Sequence, residues 1–174
     1  RLAQAGHDVC VVARGAHLTA IRTNGLKVSS SESESLFKVK AEDNPARFGP
    51  QDYVIVAVKG QSLPVVAAGV APLLGPETSI VTAMNGVPWW FFDRLAFGGG
   101  KLHLDSLDPG GTISAAMPTS RIVGCVVHLA ASTPEPGLIR HNMGKRLILG
   151  EPGGRNTART LEIVAALQGA GFEA

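Results

Sequence analysis

The sequence predicts an α/β fold in which helices cover both faces of an open, doubly wound, mostly parallel β-sheet. Apolar runs rich in β-branched residues alternate with segments of helical spacing along the chain, which is the order that parallel sheets require. The run Asp52–Val58 (DYVIVAV) is continuously apolar after its first residue, as in strands that are buried on both faces. A closed barrel of eight strand–helix units takes about 250 residues, whereas this chain has 174. The open sheet is therefore the expected architecture.

The N-terminal part of the sequence shows this alternation in short segments. Arg1–Ala5 has the character of a final helical turn that Gly6 ends, and Gly25 ends a second helix. A polar stretch, Ser29–Glu34, is expected to be a surface turn between two short strands. The predicted elements, in order, are the strand His7–Ala13, the helix Ala16–Asn24, and the strands Leu26–Val28 and Leu36–Val39.

The remaining sequence continues the pattern. In the last predicted helix, Leu161, Val164 and Leu167 have the spacing of a single inner face. The predicted elements, in order, are the strand Asp52–Val58, the helix Gln61–Leu74, the strand Ser79–Ala83, a helix start at Trp89–Phe92, the strand Arg121–Val127, a hairpin of Leu138–His141 and Arg146–Leu149, and the helix Thr157–Gly169.

Composition argues against several classes of function. The net charge of +2 is small for this length and gives no reason to expect a nucleic acid or an anionic membrane as partner. No apolar stretch reaches the roughly 20 residues of a membrane helix, and no His or Cys spacing indicates a metal site. Cys10 and Cys125 each lie in an apolar run, which predicts buried, reduced thiols and a cytoplasmic location.

Arg14 is the first candidate site residue, because ligands of doubly wound sheets bind at the carboxyl ends of the strands. It directly follows the first predicted strand. A domain specific for NAD usually has Asp or Glu near this point to bind the ribose 2′-hydroxyl, whereas arginine can pair with a 2′-phosphate. The alternative is a solvated arginine at a strand end. With the surrounding pattern we favour phosphate binding, so the expected cofactor is NADP.

Lys59 and Asn85 are the next candidates, and each follows a predicted strand. The Lys59 ammonium can donate to an oxygen of a cofactor or substrate, although a lysine that merely covers the end of the sheet is the alternative. The Asn85-Gly86 pair is first of all a turn signal. In the functional alternative, the Asn85 amide offers a donor and an acceptor to a ligand. His128 also ends a predicted strand, but a structural histidine is the simpler interpretation there.

The sequence lacks one motif that dinucleotide-binding domains normally have. A strand, a G-x-G-x-x-G turn and a helix usually open such a domain, since the glycines let the backbone approach the pyrophosphate. No G-x-G-x-x-G occurs in these residues. Because Arg1–Val9 has the character of the end of that first helix and the passage into the second strand, we expect the first strand and the glycine loop to precede Arg1.

The chain resembles the ketopantoate reductase (2-dehydropantoate 2-reductase) family over nearly its whole length. Each matching piece is short, and their combination and order are specific. The matching pieces are Ala5–Val9 (AGHDV), Ala13–Leu18 (ARGAHL), Ile21–Leu26 (IRTNGL), Val56–Lys59 (VAVK), Met84–Trp90 (MNGVPWW), Val123–Val127 (VGCVV), Pro136–His141 (PGLIRH) and Leu149–Pro152 (LGEP).

The resemblance implies a Rossmann-like NADP-binding domain over residues 1–174, followed in the family by a helical C-terminal domain. It implies hydride transfer from NADPH to ketopantoate, giving pantoate for coenzyme A biosynthesis, with a homodimer as a possible assembly. It further implies that Arg14 binds the 2′-phosphate, that Lys59 lies near the nicotinamide, that Asn85 touches cofactor and substrate, and that the backbone of Ala130 contacts the cofactor. The general-acid lysine of the family belongs to the C-terminal domain, so it is expected outside these residues.

Two alternatives stay open on the sequence alone. The substrate could be a related 2-keto acid, since Pro88 and the tryptophan pair Trp89-Trp90 could reshape the pocket. The chain could also be a non-catalytic NADP-binding module that senses redox state. Lys59 and Asn85 argue against the second alternative, because a pure binding module needs neither residue.

Overall fold

The computed structural model describes residues 1–31, 33–93 and 102–174. The described elements, in chain order, are β1 (Cys10–Val12), α1 (Gly15–Asn24), β2 (Leu26–Ser29), β3 (Glu34–Phe37), β4 (Lys40–Glu42), β5 (Gln51–Val56), α2 (Leu63–Gly69), β6 (Leu74–Ala83), α3 (Thr112–Ala116), β7 (Ile122–Glu135), β8 (Leu138–Gly150) and α4 (Ala158–Gly169). The chain forms two compact units. Unit 1 comprises Arg1–Arg47, His128–Leu147 and Ala165–Ala174, and unit 2 comprises Phe48–Val127 and Ile148–Val164.

Unit 1 is built on two groups of strands around α1. Strands β1 and β4 pair in parallel, with Val11 opposite Ala41. Strand β2 pairs in parallel with the start of β8 and antiparallel with β3. Leu18 and Ile21 of α1 are buried against Ala41, which forms the small apolar core of this unit. The predicted helical spacing of residues 16–24 is thus confirmed, whereas β1 is shorter than the predicted strand His7–Ala13.

Unit 2 contains three neighbouring parallel strands, β5, β6 and the first part of β7. The runs in β6 and in the first part of β7 are largely buried, and α2 and α3 contribute to the same core. In β5 only Val56 is buried, and Ile55 is 43% exposed. The expectation that β5 is buried on both faces is therefore wrong, since β5 is the last strand of the sheet and the described residues leave Ile55 uncovered. Ile80 and Ile122 face each other in register and are fully buried. Together with the helices, this arrangement confirms the predicted α/β fold with a mostly parallel, Rossmann-like sheet.

The two longest strands, β7 and β8, replace the predicted late hairpin. Leu138–His141 and Arg146–Leu149 were expected to pair with each other, but both lie in the single strand β8, whose hairpin partner is β7. The connecting turn is Pro136-Gly137, and Gly137 has φ of +81°. Gly144, at φ of +73°, lies within β8 and does not end it. A glycine in such a segment can mark a turn or a local distortion of a strand. Gly144 marks a distortion, because β8 continues on both sides of it.

Of the predicted helices, the one after β5 is shorter than expected, and the one at Trp89–Phe92 does not form. The helix predicted over Gln61–Leu74 is a 3₁₀ turn at Gly60–Ser62, α2 and a second 3₁₀ turn at Ala71–Leu73, after which β6 begins. Gly69 and Pro72 end the regular helix, since glycine is a poor helix former and proline lacks the donor. The helix start predicted at Trp89–Phe92 is a pair of turns, in which Phe91 N donates to Pro88 O (3.1 Å) and Asp93 N to Trp90 O (3.1 Å).

The last helix, α4, buries a different face from the one predicted. Leu167 is buried and Val164 is half-buried, but Leu161 is 58% exposed. The buried positions are Thr160, Ile163, Leu167 and, just after the helix, Ala170. Their spacing of three, four and three residues is that of a helix stripe. The inner face therefore includes a threonine, whose hydroxyl donates to Glu151, and apolar spacing alone could not identify it.

The two cysteines differ in burial. Cys125 is buried in β7, and burial raises the pKa of its thiol to about 11. Cys10 is only half-buried, so the expectation that both thiols are buried is wrong for Cys10, which lies in the short, partly covered strand β1. Among the described residues, no helix has the length and apolar character needed to span a membrane.

Candidate functional site

The parallel strands β5, β6 and β7 are in register just before the two candidate residues of unit 2, Lys59 and Asn85. Val56 of β5 lies opposite Thr82 of β6, which in turn lies opposite Gly124 of β7. Lys59 lies three residues after Val56, and Asn85 lies three residues after Thr82. Because parallel strands end at the same edge of a sheet, the two side chains leave neighbouring positions of that edge. The structure thus places these two predicted site residues after neighbouring strands, at the same edge of the sheet.

Lys59 stands between the end of β5 and a short 3₁₀ turn. Its backbone is extended (φ −73°, ψ 150°), and its carbonyl accepts a hydrogen bond from Ser62 N (2.8 Å). The side chain is exposed, and its ammonium has no ion pair or hydrogen bond with any residue that the structure describes. A lysine held only through its backbone leaves three N–H donors available to a ligand.

Asn85 has an exposed position, but its amide is hydrogen-bonded to the main chain of β7. Its Nδ2 donates to Val127 O (3.0 Å), and its Oδ1 accepts from Val127 N (2.9 Å). Gly86, at φ of +101°, turns the chain away directly afterwards. The sequence predicted a turn here, and the glycine meets the conformational demand of that turn. The hydrogen bonds to Val127 could not be anticipated from the sequence.

Trp90 covers the sheet beside this edge. A Cβ placed on Gly124 would lie 2.9 Å from Cη2 of the Trp90 ring, so the missing side chain of Gly124 makes room for the indole. The Trp90 Nε1 and the Thr82 hydroxyl are buried and have no hydrogen-bond partner among the described residues. Trp89, by contrast, is a core residue whose Nε1 donates to Met117 O (3.3 Å). The two adjacent tryptophans therefore have different environments.

Arg14 and Ala130, the other predicted site residues, lie in unit 1. Arg14 occupies the N-cap position of α1, two residues after β1, with an extended backbone (φ −139°, ψ 160°). Its side chain is exposed, and the guanidinium makes no ion pair or hydrogen bond within residues 1–31, 33–93 and 102–174. Ala130 is exposed in β7, as is His128.

Comparison with known proteins identifies the family. The family described as ketopantoate reductase PanE/ApbA matches residues 1–89, which is more than half of the chain. The chain belongs to the ketopantoate reductase family. A 2-dehydropantoate 2-reductase of Mesorhizobium japonicum is 44% identical over 100% of the chain and 54% of its own length. The chain thus spans about half the length of this curated relative.

Solved structures of the ketopantoate reductase family show the same fold. A crystal structure from Ralstonia solanacearum MolK2, described as a ketopantoate reductase, has 50% identity and a TM-score of 0.94 over 99% of this chain and 54% of its own. A 2-dehydropantoate 2-reductase from Geobacter metallireducens GS-15 has 29% identity and a TM-score of 0.79 over 99% of this chain and 50% of its own. The segment matched to the family, residues 1–89, contains Arg14, Lys59 and Asn85, whereas Ala130 lies beyond it.

A second polar cluster, which was not predicted from the sequence, lies in unit 2. Glu151, directly after β8, accepts hydrogen bonds from Arg159 Nη2 (3.0 Å), Arg159 Nε (3.1 Å) and the hydroxyls of Thr157 and Thr160. Arg159 also donates to Ser120 O (2.6 Å). The hydrogen bonds from Arg159, Thr157 and Thr160 outweigh the effect of burial and lower the pKa of Glu151 to about 2. The cluster borders an open cavity of about 600 Å³ that Arg155 also lines.

Proposed function

We propose that the protein reduces ketopantoate to pantoate with NADPH as the hydride donor. The observation that carries this proposal is the alignment of Lys59 and Asn85 at the carboxyl edge of β5 and β6, in a chain that belongs to the ketopantoate reductase family. The reaction class agrees with the relatives named 2-dehydropantoate 2-reductase. On the same basis we assign residues 1–174 to a cofactor-binding domain and the reaction to the cytoplasm.

The described residues fit a nicotinamide dinucleotide in their chemistry. NADP is an anion, and Arg14 offers an unpaired guanidinium at the N-terminus of α1, where helix N–H groups also favour negative charge. Lys59 offers an unpaired ammonium at the carboxyl edge of β5. The residues that directly follow β1 along the chain, Ala13–Ala16, include no Asp or Glu, although NAD-specific domains usually have one near this point to bind the ribose. We therefore propose NADP rather than NAD.

In the proposed mechanism, the residues of this chain bind and orient, while the cofactor supplies the hydride when bound. Arg14 binds the 2′-phosphate, and the backbone of Ala130 contacts the cofactor. Lys59 places a positive charge where negative charge develops on the substrate oxygen, which lowers the barrier. Asn85 orients the reactants beside Lys59 through its amide.

The substrate assignment is tested by supplying the full-length protein with NADPH and a series of 2-keto acids. We expect ketopantoate to have the highest kcat/KM, with smaller and unbranched 2-keto acids reduced less efficiently. Turnover of another 2-keto acid in preference to ketopantoate would show that the substrate assignment is wrong, while the assignment as an NADPH-dependent reductase of 2-keto acids would stand. Tight NADPH binding without turnover of any 2-keto acid would instead favour a non-catalytic binding module.

The cofactor assignment predicts a selective effect of Arg14→Ala. Removing a charge-assisted contact costs about 1.5–3 kcal/mol, so NADPH should bind roughly 10- to 150-fold more weakly. NADH has no 2′-phosphate, so its affinity should change little. Isothermal titration with both cofactors measures the two dissociation constants. Arg47→Ala, which removes an exposed arginine elsewhere in unit 1, is the matched control. Equal losses for NADPH and NADH in Arg14→Ala would show that Arg14 does not recognise the 2′-phosphate.

A further inference from the structure

The Asn85 side chain extends the parallel ladder of β6 and β7 beyond the point where the backbones separate. Backbone pairing ends with Ala83 opposite Cys125. Met84 N then donates to Thr82 O (2.9 Å), a tight turn that takes the β6 backbone out of the ladder. Asn85 and Val127 are the next positions of the same register, each two residues further on. At that position the amide of Asn85 takes the place of a peptide group.

The two hydrogen bonds to Val127 fix which end of the amide lies where. Oδ1 faces the Val127 N–H, and Nδ2 faces the Val127 carbonyl. The reverse orientation would place two donors together and two acceptors together, so the hydrogen bonds themselves assign the amide. Along a strand, the N–H of a residue precedes its carbonyl. Nδ2 therefore lies on the side of the carboxyl edge, and Oδ1 lies on the side of the sheet interior.

Planarity of the amide then determines the direction of the unused groups. One Nδ2 hydrogen points across to Val127, so the other points along the strand direction, out of the carboxyl edge. The unused lone pair of Oδ1 points the opposite way, back along the sheet. A ligand at the carboxyl edge meets a donor at Asn85 and not an acceptor. Lys59, which follows the neighbouring strand β5, is also purely a donor.

We propose that the main chain of Val127 is the positioning element that makes Asn85 a fixed hydrogen-bond donor to an oxygen of the bound ligand. This inference rests on the proposed function for the identity of the ligand, which is a carbonyl or carboxylate oxygen of a 2-keto acid. Two donors of neighbouring strands, Lys59 and Asn85, then converge on one side of the substrate. Such a pair stabilises negative charge that develops on the carbonyl oxygen during reduction.

The position of the amide is tested first, without mutation and without substrate. Full-length protein labelled with ¹⁵N in asparagine side chains and ¹³C in valine carbonyls allows the scalar coupling across the hydrogen bond from Asn85 Nδ2 to Val127 to be measured by NMR. We expect this coupling. Its absence would overturn the positioning role. This result does not depend on whether the protein reduces ketopantoate.

The donor role is tested by comparing Asn85→Ala with Asn85→Asp in the turnover of ketopantoate. Loss of one neutral hydrogen bond should lower kcat/KM about tenfold in Asn85→Ala. Asn85→Asp keeps the size but presents a charged acceptor to the ligand oxygen and to the Val127 carbonyl, so kcat/KM should fall roughly a hundredfold. Thermal unfolding of both variants controls for loss of structure. An Asp variant as active as the alanine variant, or more active, would overturn the donor role.

Discussion

Replacement of Glu151 by glutamine should lower the free energy of unfolding by about 3 kcal/mol near neutral pH. The carboxylate is 13% exposed and is bound by Arg159, which is itself bonded to main-chain carbonyls of residues 120 and 122. A pKa of about 2, against an ordinary value of 4.5, corresponds to a few kcal/mol at about 1.4 kcal/mol per pKa unit. Loss of the charge also leaves the Arg159 guanidinium without its counter-ion in a partly buried position.

The same pair makes the stability of unit 2 depend on pH in a defined direction. The folded state lowers the pKa of Glu151, so its contribution is complete above about pH 4.5 and is lost as the pH falls toward 2. The difference between wild type and Glu151→Gln should shrink to roughly half or less at about pH 3. Equilibrium unfolding followed by tryptophan fluorescence reports on the correct region, because Trp89 and Trp90 belong to the same unit as Glu151.

Glu77→Gln is the matched control for this prediction. Glu77 is exposed in β6, and its carboxylate has no ion pair among the residues that the structure describes. Substitutions at such surface positions change stability by about 0.5 kcal/mol at most. A Glu151→Gln variant that unfolds like the Glu77→Gln variant at every pH would contradict the role of the Glu151–Arg159 pair in linking α4 to the ends of β7 and β8.

Gly144→Ala should destabilise the hairpin of β7 and β8 by roughly 2–5 kcal/mol. Gly144 has φ of +73°, which costs about 1–2 kcal/mol for a residue with a side chain. A Cβ at this position would also overlap the carbonyl oxygen of His128 and lie 3.1 Å from Cα of Leu129. Both obstacles are backbone atoms of the partner strand, so they cannot move without disturbing the ladder. Chemical denaturation of the full-length protein measures the loss.

Gly154→Ala separates the two contributions to the effect at Gly144. Gly154 has a similar φ of +71°, but a Cβ there would meet no atom of the described residues within 4 Å. This variant should lose only the conformational part, about 1–2 kcal/mol. The loss of unfolding free energy in Gly144→Ala minus the loss in Gly154→Ala gives the steric contribution. Equal destabilisation at both positions would show that the overlap with His128 is relieved by a backbone shift of negligible cost.

The sequence predicts best the features that depend on local apolar character. The helical spacing of residues 16–24 predicts burial correctly, because the environment of each residue follows from the period of the helix. The β-branched run of β5 predicts the strand but not its burial, since Ile55 is exposed. The parallel order of the strands then places Lys59 and Asn85 at a common edge without further information. Arg14 was identified by the same rule, since the residue that follows a strand lies at its carboxyl end.

The features that sequence could not predict are set by distant contacts. Leu138–His141 and Arg146–Leu149 were predicted to be a hairpin, because only the pairing of β8 with β7 shows that one strand continues through both segments. On the inner face of α4, Leu167 was predicted correctly, but Thr160 and Ile163 are buried in place of Leu161 and Val164. Thr160 donates a hydrogen bond to Glu151, and apolar spacing does not reveal such a position. The bond from Asn85 to Val127 joins residues 42 positions apart. No local pattern carries that information.

The most direct test of the proposed reaction follows the hydride itself. Full-length protein is supplied with ketopantoate and NADPH that carries deuterium at both C4 positions of the nicotinamide, and the product is analysed by mass spectrometry and NMR. The proposed function predicts pantoate with one deuterium on the former keto carbon, formed in step with NADP. Oxidation of the cofactor without deuterium in pantoate, or the absence of pantoate at saturating NADPH, would contradict it.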